Sequence, residues 1–107
     1  MDVFEIKALV TRELAQIKRD DAVREIKSLL VSPRREDRAW DYGKPNQTLP
    51  CWIVLEDRDR NVCIAHCHEG FGPENPWGIM FISGPSTSMG MDSAWFSSLE
   101  EAFGDLR

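Results

Sequence analysis

The run "CWIVLED", Cys51 to Asp57, constrains this chain more than any other stretch. Successive residues of a strand point to opposite faces, so Cys51, Ile53 and Leu55 share one side while Trp52 and Val54 share the other. Both sides are apolar. Such a strand belongs in the middle of a sheet, and something must cover each of its faces. A chain of 107 residues holds one modest core, and the expectation is a single domain over residues 1–107.

A second β-rich run, "VCIAHCH" (62–68), is separated from the first by the polar "RDRN" (58–61), which reads as a hairpin loop. A third, "WGIMFIS", spans 77–83, and a fourth, edge strand is possible around Ala39 to Gly43. Ahead of them, Ile6, Leu9, Val10, Leu14 and Ile17 recur at helical spacing, and a second stripe, Ala22, Val23, Ile26, Leu29 and Leu30, falls on roughly the opposite side of the same axis. The phase slips near Asp20-Asp21. Either one of these aspartates caps a second helix or a single long helix is buried on different sides along its length.

Ser32-Pro33 ends the helical run, since proline disfavours the α conformation in the residue before it. "RREDR", Arg34 to Arg38, then reads as a solvated connector, and "GPSTSMGMDSAWF" (84–96) as a loop. In "SSLEEAFGDL", Ser98 and Glu101 make a capping box before the stripe Leu99, Ala102, Phe103 and Leu106. The predicted class is α+β: an N-terminal helix or helix pair, a three- to four-stranded antiparallel sheet and a short C-terminal helix.

The stretch "HCHEGFGPENPWG" (66–78) concentrates the chemistry-bearing residues. Thiolate and imidazole are preferred zinc ligands, yet alternation along a strand puts Cys63 and Cys67 on one face about 13 Å apart and His66 and His68 on the other. Four such groups do not close one tetrahedron. Neighbouring residues such as His66 and Cys67 likewise diverge, so a Cys–His nucleophilic pair is not expected. "GFGP" lacks the spacing of a phosphate loop. His66 and His68 with nearby carboxylates, Glu69, Glu74 or Asp41, leave a small enzyme or metal-binding protein as the alternative reading. No cofactor, metal or catalytic residue is assigned.

The formal net charge of −5 is uneven: residues 1–38 hold nine Lys/Arg against eight Asp/Glu, and residues 39–107 hold four against ten. A surface of that sign repels nucleic acid phosphate and anionic lipid and attracts a basic protein. The first residues carry acids ahead of Lys7 and no apolar core of a secretory signal, and three cysteines are an odd number, so a reducing cytoplasm is expected. No apolar run approaches the roughly 20 residues that span a bilayer. Tyr42 and Phe71 lie among Gly, Pro and charged residues, the setting of binding hot spots. With Asp41, Glu69 and Glu74 in the same loops and Asp57 and Asp59 at the hairpin, they are the candidate partner-binding residues.

The order "WDYG", "CWIVLED", "IAHCHEGFGP", "PWGIMF" and "MGMDSAWFSSLEEAF", over about residues 39–103, resembles small bacterial immunity proteins of toxin–immunity systems, including contact-dependent growth inhibition. The resemblance implies a cytoplasmic protein that binds a cognate toxin domain, often a basic nuclease, and occludes its active or substrate-binding site. Immunity families share no catalytic motif, and none is carried over.

Overall fold

The computed structural model describes residues 1–84 and 88–107. Among these the chain forms helices α1 (Val3–Gln16) and α2 (Asp20–Leu29), strands β1 (Leu30–Ala39), β2 (Thr48–Asp57), β3 (Val62–His66), β4 (Trp77–Phe81) and β5 (Trp95–Phe96), and helix α3 (Leu99–Leu106). The strands form one antiparallel meander in the order β1-β2-β3-β4-β5. The α+β class is as expected, with one strand more than the upper bound read from the sequence.

The phase slip between the helical stripes is a true break. Ile17 turns to extended backbone and closes α1 through its amide to Leu14 O, and α2 then starts after Arg19. Asp20 and Asp21 occupy the first turn of α2 rather than its cap, where their charge opposes the positive end of the helix dipole. At the other end of the chain Ser98 accepts from the Glu101 amide at 3.1 Å and caps α3 as expected. The Glu101 carboxylate, however, accepts from the Ser97 and Ser98 hydroxyls rather than from the Ser98 amide, so only half of the capping box forms.

Arg34–Arg38 is a strand, not a connector. α2 stops at Leu29, before Ser32-Pro33, and the chain runs straight into β1, pairing Arg34 with Ile53 and Ala39 with Thr48. Arg34, Glu36 and Arg38 alternate onto one face, where a continuous line of ion pairs forms. Arg58 reaches Glu56 at 3.1 Å, Glu56 binds Arg34 at 3.0 Å, Arg34 binds Glu36 at 3.1 Å, and Glu36 binds Arg38 at 2.8 Å. Glu56 and Arg38 are buried, so each needs its partners, and Arg34 holds the Glu56 carboxyl below the usual carboxylate range.

Both faces of β2 are covered, each in a different way. Helices α1, α2 and α3 pack on one face, where Ile6, Val10, Ile26, Leu99 and Phe103 meet Val54, Ile64 and Trp77. On the other face Cys51, Ile53, Cys63, Ala65 and Met80 lie under Met89 and Trp95. Leu55 departs from simple alternation: a register shift between Ile53 and Leu55 against β3 turns it to the helical face beside Val54.

The cover on the second face comes from residues 88–96, part of the segment expected to be a loop, whose Pro85–Thr87 lie outside the described residues. Ser88 forms a parallel bridge to Ala39, and Met89 donates to Ala39 O at 3.1 Å, so the strap crosses the sheet from β4 to β1 and returns to pair as β5. Trp95 anchors it by donating its indole Nε1–H to Met89 O at 2.8 Å.

Gly78 is the floor on which Trp95 lies, since a Cβ there would overlap the indole ring. Gly78→Ala is expected to displace Trp95 and cost about 2 kcal/mol of stability, read as a lower denaturant midpoint with altered tryptophan fluorescence. Glu56→Ala removes the buried centre of the ion-pair line and leaves Arg34 with Glu36 alone. It is expected to cost a further, independent amount of about 1 kcal/mol in the same assay, the exposure of Arg34 and Arg58 keeping the loss small.

Candidate functional site

The two loops at one end of the meander, 40–47 between β1 and β2 and 67–76 between β3 and β4, are joined by aromatic contacts. Trp40 lies 5.2 Å from Tyr42 and 5.0 Å from Phe71, centroid to centroid, and Tyr42 lies 5.5 Å from Phe71, so the three rings close a triangle. Tilted and edge-on geometries predominate, the arrangements favoured by ring quadrupoles. Phe71 is also 5.9 Å from Trp95, which connects the triangle to the core of the second face.

Each corner is held differently. Trp40 is partly buried on the sheet end and its amide donates to Gln47 O at 2.9 Å, closing the 40–47 loop. Gln47 Oε1 accepts from the Lys44 amide at 2.9 Å, and Asn46 takes the left-handed backbone that such a tight return requires. Tyr42 therefore projects from a braced loop and is 57% exposed. Phe71 is half-buried beneath it.

Asp41, Glu69 and Glu74 are exposed in the same two loops, which carry these three carboxylates against one lysine, Lys44. The rim of the aromatic triangle is thus acidic. Asp57 and Asp59 do not belong to it: they sit at the opposite end of β2, about 30 Å away along ten strand residues. There the acids alternate with arginines, and Asp57 pairs with Arg60 at 3.7 Å. Of the seven candidate residues, the fold brings five to one end and leaves two at the other.

Trp40 and Trp95 complete the cluster without having been singled out as partner-binding residues. Trp40 lies in the same "WDYG" run as Tyr42, but which residues meet Phe71 depends on β1 and β3 being two strands apart in one sheet, a distance no local pattern reports.

The histidines have a different setting. Cys67 packs on the second face, whereas the His66 ring contacts Trp77 edge-on at 4.8 Å and belongs to the helical side of the sheet. In the register Trp52, His66 and Trp77 stand in one row across β2, β3 and β4. His66 is 5% exposed, and its buried Nδ1 has no hydrogen-bond partner among the described residues. Burial first, and the neighbouring His68 second, push its pKa down to about 4. His66 is therefore neutral near pH 7, while His68 is exposed. Among the described residues no three His, Cys, Asp or Glu side chains converge as metal ligands, and no helix is long and apolar enough to cross a membrane.

Because the unfolded chain binds a proton at His66 near pH 6.5 and the folded chain only near pH 4, stability present above pH 6.5 is lost as pH falls through that window. The loss is expected to reach about 3 kcal/mol. His66→Gln should flatten the stability profile over this range while leaving the further loss at lower pH, where Glu56 protonates. A His66 ring proton resonance titrating near pH 6.5 would contradict the burial. No match to the chain is found among protein-family models, curated proteins or solved structures.

Proposed function

We propose that the protein is an immunity-type binding module that neutralises a cognate toxin domain by covering its active or substrate-binding surface. The observation that supports this reading best is the triangle of Trp40, Tyr42 and Phe71 at one end of the sheet, rimmed by Asp41, Glu69 and Glu74. A rigid, partly desolvated aromatic group supplies contact area at low entropic cost, and the surrounding carboxylates can pair with Lys or Arg. Such a rim accelerates association with a basic domain, a nuclease among them, and repels phosphate backbones.

The interface is assigned to the loop end alone, since Asp57 and Asp59 lie beyond one compact patch. Inhibition then needs no turnover and no cofactor; the partner is a protein, and neither a nucleic acid nor a membrane. Cytoplasmic residence belongs to the same reading, because a toxin that enters or is made in the cell is met there. The alternative, an enzyme or metal-binding protein using His66 and His68, is disfavoured by the depressed pKa of His66 and by its position between two tryptophans.

The test is rescue. Expression of the protein should restore growth of cells making the toxin encoded directly upstream of its gene, and the two purified proteins should form a complex. Failure of every neighbouring candidate toxin to bind would reject the proposal. Within the complex, Tyr42→Ala is expected to weaken binding at least tenfold, about 1.4 kcal/mol. Glu69→Lys and Glu74→Lys should slow association and flatten its salt dependence, whereas Asp57→Lys and Asp59→Lys should leave both unchanged.

A further inference from the structure

Beneath the loop that carries Glu69 and Phe71, two thiols face one another across the sheet. The register that pairs Trp52 with His66 makes Cys51 and Cys67 the next residues in line, and both pack into the same core on the second face. Cys67 donates its amide to Pro76 O at 2.8 Å, toward β4. The β2–β3 ladder ends at Trp52–His66, so Cys51 and Cys67 stand one step beyond it, and with the Cys67 amide turned toward β4 that step has the geometry of a non-hydrogen-bonded antiparallel pair. In such a pair the Cα atoms lie about 4.5 Å apart with the side chains drawn together. That spacing falls at the near edge of the roughly 4.4–6.8 Å window a disulfide requires.

We propose that Cys51 and Cys67 are a redox couple that closes to a cross-strand disulfide, tying the start of the 67–76 loop to β2. Cys63 is outside the couple: it stands opposite Glu56 and, on the same face of β3 as Cys67, about 13 Å from it. The two thiols are also unequal in position. Cys51 lies within β2, whereas Cys67 follows the last residue of β3 and heads the 67–76 loop, so opening of that loop uncovers Cys67 first. Cys67 is thereby the attacking sulfur.

The oxidant is a low-molecular-weight disulfide of the glutathione type. The Cys67 thiolate attacks one of its sulfurs, forming a mixed disulfide and releasing one small thiolate. Cys51, losing its proton, then attacks the Cys67 sulfur and expels the second. Two protein thiols are oxidised and one small disulfide is reduced to two thiols. Both cysteines are buried, so the reagent enters when the 67–76 loop opens or before the chain has folded. The couple is a property of the sheet and holds whether or not the loop end docks a toxin.

The experiment refolds reduced protein from urea in glutathione buffers of increasing oxidised fraction, then quenches with acid, alkylates in denaturant and weighs the intact chain. Alkylatable thiols are expected to fall from the three of the reduced chain to one, with the mass of two hydrogens lost and the remaining label on Cys63 by fragmentation. Cys63→Ala should go from two labels to none. Cys51→Ala and Cys67→Ala should form no intramolecular disulfide at the same potentials. Retention of all three thiols by the wild-type chain in the most oxidising buffer would overturn the couple. So would a wild-type disulfide that includes Cys63, or one that persists in either single variant.

Discussion

The architecture follows from burying β2 on both of its faces. A strand whose two sides are apolar leaves no face for water, so two covers must be found within 107 residues. Three helices supply one. The second is made without an α-helix, from a strap that crosses the sheet and from two end loops whose aromatic rings lean on it. That economy explains why Trp95 and Met89 are buried although the segment around them reads as irregular. It also explains why the candidate interface is not a free-standing pair of loops: Phe71 touches Trp95, and Trp95 rests on Gly78, so the surface inherits the rigidity of the core.

Much of this is legible in local pattern. The two apolar stripes, the hairpin around Asn61, the strand beginning at Trp77 and the Ser98 cap all depend on residues a few positions apart, and they stand where spacing places them. What local pattern misses is set by partners distant in sequence. "RREDR" looks solvated because every residue is polar; it is a strand because Glu56, some twenty residues on, offers the buried carboxylate that Arg34 binds. Leu55 changes face through a register shift that depends on β3, and Trp95–Phe96 is a strand only because β4 lies alongside.

The site divides in the same way. That Tyr42 and Phe71 are aromatic side chains set in turn-rich, acidic surroundings is plain from composition. That they touch, and that Asp57 and Asp59 do not join them, depends on which ends of β1, β2 and β3 coincide. The facing of Cys51 and Cys67 is likewise a matter of register: sixteen positions separate them along the chain, and one residue of slippage would send their side chains to opposite faces.

The line of ion pairs along β1 has a consequence for how copies of the chain meet. β1 is an outer strand ten residues long, and an outer strand of that length is a template onto which a second molecule can add its own. Here the template carries Pro33, which offers no amide, and the exposed Arg35 and Asp37, in register with Trp52 and Pro50. An incoming strand would have to bring matching charges and tolerate a missing hydrogen bond. One strand thus does two things: Arg34, Glu36 and Arg38 brace the sheet internally, while Pro33, Arg35 and Asp37 discourage it from growing sideways.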